Sequence, residues 1–439
     1  MTTVSEVFRE GFESYAKERR LPYKIYKAAN ALMNCRTAAM GGHVQQCENG
    51  HVVGVQYNSC RHRSCPQCNE RSKTQWADAQ AARLLACDHY HAIFTVPHEL
   101  LDLWSYNRQA MADLLFSSAC HALMKLLKDE RYLGATPGIV ATLHTWGRTL
   151  IRHPHVHCLV TGGGLAADGQ WHSSHTGYLV PVKALKRIYR GKFLGGVESL
   201  LEEGQLRLPK DLDMESARRL LGRTARREWN VRIQQRYAYG EGVMRYLGRY
   251  VRGGPISNRG LTEVNDTDVA FRYRDHRDGK QKILRLSRDE FIDRLIWHVP
   301  EPGRHVTRHY GLYGHKARPK RAICRAHLGQ PPEPDRPAPV NWQTYLERMG
   351  HEAQTRCNTC GARIHTGPRL PKGSVANPIS IGVGGRSGSV QQVVQTARGS
   401  AADPPKLWAW TVSHRFFCAA AGPINKHVRL AKGDHNGLI

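Results

Sequence analysis

Apolar side chains recur three and four residues apart at Val7, Phe8, Phe12, Tyr15 and Ala16, which predicts helix from residue 1 to about 32. The same period returns from Ser72 to Leu85, and again over a long section from about Glu99 to Asp129. Between them, His89 to Val96 (HYHAIFTV) reads as a strand closed by Pro97. Two further strand-like runs, Ile139 to Thr145 and His155 to Thr161, are joined by WGRTLIRHP and predict an antiparallel hairpin with a long loop. Residues 177 to 183 (GYLVPVK) read as another strand, and Val182 to Tyr250 as mostly helical, ended by the glycines and proline of GGP at 253 to 255. Val269 to Tyr273 and Lys282 to Leu286, separated by RDHRDGK, predict a second hairpin, followed by a short helix from Asp289 to His298. A proline-rich stretch, QPPEPDRPAPV at 330 to 340, reads as a linker. Beyond about 367 the chain turns Gly/Ser/Val-rich, and a loose tail is expected.

At 439 residues, two or three folded units are expected. No run of about 18 apolar residues predicts a membrane span, and the N-terminus lacks the apolar centre of a secretory signal. The expectation is a cytoplasmic protein. Charge sharpens the picture: 64 Lys+Arg against 37 Asp+Glu leave a formal +27. Basic residues concentrate between Ala217 and Arg252. Such a field attracts polyanions and supplies the phosphate-neutralising part of nucleic-acid binding, so DNA or RNA is the expected partner.

Seven of the twelve cysteines sit in two clusters with metal-type spacing. In a cytoplasmic chain that favours metal over disulfides. The first cluster offers Cys35, Cys47, His51, Cys60, His62, Cys65 and Cys68. Cys65 and Cys68, with two residues between them, can grip one tetrahedral Zn²⁺, with Cys47 and His51 as the expected partners and Cys35, Cys60 and His62 as competitors. Such an ion would hold a DNA-reading surface. Cys357 and Cys360 (CNTC) form a candidate second zinc pair, flanked by His351 and His365.

The stretch LIRHPHVHCLVTGGG places His153, His155 and His157 at alternate positions. In a strand His155 and His157 share a face, with Val156 packing behind. His144 lies on the strand expected across the hairpin, so a suitable register would bring three imidazoles together. Neutral imidazoles suit Zn, Mn, Fe or Ni, and hold Mg where DNA phosphate adds oxygen ligands. His153, beside Pro154, is expected outside the pocket. A second constellation is MRYLGRYVRGGP, where Tyr246 and Tyr250 would lie one helical turn apart, with Arg245, Arg249 and Arg252 supplying guanidinium groups for phosphate. A metal held by the histidines would polarise a phosphodiester, and a tyrosine could attack it to give a 5′-phosphotyrosine and a free 3′-OH.

Taken together, NSCRHRSCPQC, HAIFTVPHEL, LHTWGRTLIRHPHVHCLVTGGG, YLGRYVRGGPISNRGL, FRYRDHRDGK and RHYGLYGHK resemble the IS91-family transposases, members of the HUH endonuclease superfamily with a two-tyrosine site. The resemblance spans roughly residues 30 to 330. It implies an α+β fold, an antiparallel sheet with flanking helices preceded by a small zinc-binding domain. It implies that His155 and His157 are the paired metal ligands for Mg²⁺ or Mn²⁺, with His144 as the third, and that Tyr246 and Tyr250 are the nucleophiles. It also implies rolling-circle-like transposition through single-stranded DNA, cutting an element end and joining it to target DNA. The expected division is residues 1–80 for the N-terminal helix and zinc domain, and 81–265 for the nuclease core. An accessory DNA-contacting hairpin and helix would follow at 266–330, the linker with the second cysteine pair at 331–366, and the tail at 367–439. The chain departs from the family at CENGH, where His51 stands for a cysteine, and at YVRGG, where the family often has YTHR. A replication initiator or relaxase, and a non-catalytic zinc-ribbon DNA-binding protein, are the competing expectations.

Overall fold

The computed structural model describes residues 3–374, apart from 176, 240–242, 244–253, 276 and 336–338. The N-terminal helical pattern is divided by Pro22, which precedes the second helix and carries no N–H to continue the first. Helix α1 (Val4–Lys17) opens on a capping box in which Thr3 and Glu6 satisfy each other's backbone N–H groups, and α2 (Tyr23–Asn34) follows. The hairpin of β1 (Gly42–Cys47) and β2 (Val52–Tyr57) leads through a cysteine-rich loop into α3 (Glu70–Ala81).

Then come β3 (His89–Thr95), α4 (Leu101–Tyr106), α5 (Arg108–Leu127), β4 (Thr136–Trp146), β5 (Arg152–Leu165) and β6 (Trp171–Ser173). Next are α6 (Val182–Glu202), α7 (Met214–Arg226), β7 (Val231–Tyr237), β8 (Leu261–Val264), β9 (Asp268–Arg274) and β10 (Gln281–Ser287). The last elements described are α8 (Arg288–Ile296), β11 (Thr307–Gly311), α9 (Arg318–His327), α10 (Trp342–Arg348) and β12 (Ile364–Leu370).

The central sheet is antiparallel, in the order β11-β4-β5-β3-β7, with β6 on β5. Period-2 alternation sorts its two faces. Tyr90, Ala92, Phe94, Val156, Cys158 and Val160 join Leu115, Phe116, Leu123, Tyr189, Phe193 and Trp229 in the largest apolar core. Burial of each large side chain there contributes about 1.5–3 kcal/mol. The opposite face carries the histidines. Beside them, Val140 and Leu159 form a smaller cluster with Leu84, Leu85, Val243, Leu312 and Tyr313. Helix α5 is long and apolar enough to cross a membrane by length and composition, but more than half of that stretch is buried in the protein.

A second sheet, β10-β9-β8, shares a core with α1, α2 and α8 through Phe8, Phe12, Ile25, Phe271, Phe291 and Ile292. The third sheet, β12-β1-β2, pairs the first hairpin with a strand more than 300 residues later, Gln46 lying opposite His365.

Three expectations differ from the structure. GYLVPVK forms no strand: Leu179 and Val180 are buried in a connecting loop, and Pro181 is the N-cap of α6. Residues 231–237, expected within a helical section, are strand β7 on the edge of the central sheet. There Val231 and Ile233 alternate with Arg232 and Gln234. Residues 367–370, expected in a loose tail, are instead the end of β12, and residues 375–439 lie outside the described residues.

Candidate metal centres and the histidine face

Strand pairing sets His144 directly opposite His155, and Thr142 opposite His157. Directly opposed residues project to the same side, so the three rings meet: centroids lie 5.4 Å apart for His144 and His155, 4.5 Å for His144 and His157, and 4.7 Å for His155 and His157. All three are buried, and one ligating nitrogen from each lies within 4.8 Å of the others. Nε2 of His155 and Nε2 of His157 are 2.9 Å apart. The far nitrogens are held by the protein. Nδ1 of His155 donates to the His153 carbonyl at 2.6 Å, which fixes the tautomer and leaves the Nε2 lone pair facing the cluster. Nδ1 of His157 lies 2.7 Å from Nε2 of His91.

Burial, and then the neighbouring His144, push the affinity of His155 and His157 for protons well below the ordinary imidazole range. Both are neutral at pH 7, the form that binds cations. His91 is held at about 4 by burial, against the raising effect of a hydrogen bond to the Gln234 side chain on β7. Trp146 stacks on His144 at 4.5 Å and 16°. Sequence reasoning missed His91. Its signal was present in HYH at 89–91, which alternates as HVH does at 155–157 and pairs beside it, His91 opposite Leu159. His153 stays outside the three-imidazole group, as expected, though its ring is 4.9 Å from that of His155 and its carbonyl orients that ring.

Tyr246, Tyr250, Arg245, Arg249 and Arg252 lie outside the described residues. Their neighbours are placed. Val243 is buried in the apolar cluster on the histidine face. Gly254 and Pro255 line a cavity of about 100 Å³ together with His144, Trp146, Trp297, Arg63, Arg108 and Arg304.

The sulfur ligands divide differently from expectation. Cys65 and Cys68 meet Cys35 and Cys60, while Cys47 and His51 meet Cys357 and Cys360. In the first group Cys35 caps α2, Cys60 follows β2, and the Cys65–Cys68 loop is tied by Asn69, whose amide donates to the carbonyls of His62, Arg63 and Cys65. Cys60 and Cys68 sulfurs are 3.7 Å apart. Cys47 is carried away from this group because it ends β1, whose other edge pairs with β12. His62 is half-buried beside the first group without joining it. His365 instead contacts the Gln46 amide, 3.0 Å away.

A family model described as "Transposase zinc-binding domain" matches residues 7–96, and one described as "Putative transposase" matches residues 138–321. The "Putative transposase y4qJ" of Sinorhizobium fredii strain NGR234 is 36% identical over 367 residues, covering 81% of this chain and 92% of that protein. The "Transposase for insertion sequence element IS801" of Pseudomonas savastanoi pv. phaseolicola is 31% identical over 353 residues, covering 76% of this chain and 81% of that protein. No solved structure matches the chain at a significant level.

Proposed function

This chain belongs to the IS91 family of transposases, which act on DNA and carry an N-terminal zinc-binding domain, and we propose that it cuts and joins single-stranded DNA through a covalent tyrosine intermediate. The observation that carries the reading is the set of three buried imidazoles converging on one face of the sheet, with His155 and His157 kept neutral by burial and their far nitrogens both held by the protein. A divalent ion there, Mg²⁺ or Mn²⁺, would withdraw charge from a phosphodiester oxygen. His144, His155 and His157 would hold it, with DNA phosphate completing the coordination.

Tyr246 and Tyr250 are assigned the nucleophilic role. Tyr246 is three residues from Val243, and Tyr250 is four from Gly254. Spans of three and four residues reach at most about 11 and 14 Å, and both anchor residues belong to the surroundings of the histidines. In the reaction the phenol oxygen bonds to phosphorus while the phosphorus–O3′ bond breaks. The phenolic proton is released and the departing 3′ oxygen takes one up, leaving a 5′-phosphotyrosine and a 3′-OH. Attack by a 3′-OH on that ester reverses the chemistry and joins strands without an external energy source. Two tyrosines would let one hold a 5′ end while the other cuts again. Arg245, Arg249 and Arg252, with Arg63 and Arg304 of the cavity, would neutralise phosphates.

The test is an assay with Mg²⁺ or Mn²⁺ and a single-stranded oligonucleotide carrying an element end. A protein–DNA adduct that survives denaturant is expected. It should vanish in His155→Ala and His157→Ala while DNA binding persists. Variants that still cut, or that lose binding as fully as cutting, would contradict the metal role.

A further inference from the structure

Cys47 and His51 sit at the tip of the β1–β2 hairpin, and Cys357 and Cys360 in a second tight turn after α10. The two turns are built alike. The Gly50 N–H donates to the Cys47 carbonyl and the Cys47 N–H to the His51 carbonyl, at 2.9 and 3.0 Å. In the other turn the Gly361 N–H donates to the Cys357 carbonyl and the Cys357 N–H to the Ala362 carbonyl, both at 2.8 Å. Gly50 and Gly361 have φ of 82° and 71°, the left-handed region where a side chain would be strained. Each turn therefore presents two donors on one side, and strand pairing between β1 and β12 brings the turns face to face.

The spacing between donors matches one tetrahedral ion. Zinc bonds of about 2.3 Å to sulfur and about 2.05 Å to nitrogen imply edges of roughly 3.8 Å between sulfurs and roughly 3.5 Å between sulfur and nitrogen. The Cys47 and Cys360 sulfurs are 3.6 Å apart, and His51 Nδ1 lies 3.4, 3.3 and 3.9 Å from the sulfurs of Cys47, Cys360 and Cys357. The sulfur separation is also far beyond the roughly 2.05 Å of a disulfide. Cys47 and Cys357 are buried beside Ile364, Val53 and Trp342, an apolar setting that would not otherwise favour thiolates.

We propose that Cys47, His51, Cys357 and Cys360 together hold a single zinc ion, separate from one held by Cys35, Cys60, Cys65 and Cys68. Four protein donors close the coordination shell, so the ion is structural. It joins the hairpin within the 7–96 zinc-binding match to a segment beyond both matched regions. The zinc-binding domain is thus completed only by residues near 360, and it closes after most of the chain has been made. The proposal does not depend on the cleavage chemistry.

Zinc content of the purified full-length chain tests it, read as a difference from the parent so that any zinc on the histidines cancels. Cys47→Ser and Cys357→Ser are each expected to lose one zinc per chain, and the pair combined still only one. Loss of two by the pair, or none by Cys357→Ser, would overturn the shared site. His51→Cys keeps four donors and should retain the full count; loss of an ion there also counts against the assignment. In the unaltered protein Cys360 is exposed, so only ligation shields it. It should resist N-ethylmaleimide until a chelator is added, and then react along with Cys47 and Cys357. Immediate modification of Cys360 before chelation would overturn the proposal independently of any variant's folding.

Discussion

In the proposed site His157 would meet the metal through Nε2, while its Nδ1 lies 2.7 Å from Nε2 of His91, so His91 would act on the metal only by orienting its neighbour. Partners of this kind typically change metal affinity about 10–100-fold when removed. His91→Ala is therefore expected to raise the Mn²⁺ concentration needed for half-maximal cleavage by that order, with cleavage recovering at high Mn²⁺. An unchanged metal requirement would remove His91 from the site. The pair His155 and His157 was legible because alternation on one strand needs no knowledge of neighbours. His91 was not, because its role depends on which strand lies beside β5, and periodicity within β3 says nothing about that. The same gap explains the sulfur ligands. Spacing marked Cys65–Cys68 and Cys357–Cys360 as pairs, but the partner of each pair is decided by strand β12, hidden by Gly367 and Pro368.

At the scale of elements, register matters most. Slipping β4 against β5 by one residue would turn His144 to the core face, so the hairpin positions the third imidazole as surely as the sequence supplies it. Elements near the expected linker are also tied down. Arg321 on α9 is buried and meets Glu333 through two hydrogen bonds of 2.7 and 3.0 Å, while Arg325 donates to the Pro331 carbonyl. Glu333→Ala would leave a buried guanidinium without its carboxylate and should destabilise the fold by about 3 kcal/mol, read from urea unfolding. A loss below about 0.5 kcal/mol would show the segment to be a passive tether. Strand β7 was misread because a basic helical neighbourhood outweighed a clear apolar–polar alternation in VRIQQRY. The two hairpins were read correctly because their alternation is bounded by turn residues.

For the molecule as a whole, buried neutral imidazoles predict a direction for stability with pH. His89, bonded to the Tyr313 hydroxyl and the Cys87 carbonyl, and His298, bonded to Thr145 and the Leu150 carbonyl, are each held at about 4 by burial. As pH falls below about 6.5 the unfolded chain takes up protons that these rings refuse. Stability is therefore intact above 6.5 and should decline toward pH 4 by up to about 1.4 kcal/mol per unit for each ring. Equal unfolding free energies at pH 7.5 and 5 would contradict this. The α+β class, the zinc-binding N-terminus and the family were all visible in the sequence, because each rests on motifs in chain order. The sharing of one sheet by the two ends of the described chain was not.

The central proposal is that Tyr246 or Tyr250 becomes bonded to DNA. The most direct measurement digests the denaturant-resistant adduct and locates the nucleotide by mass spectrometry. A 5′-linked nucleotide on Tyr246 or Tyr250, absent when both are changed to phenylalanine, is the expected result. An adduct on any other residue, or one that forms undiminished in the double variant, would contradict the account.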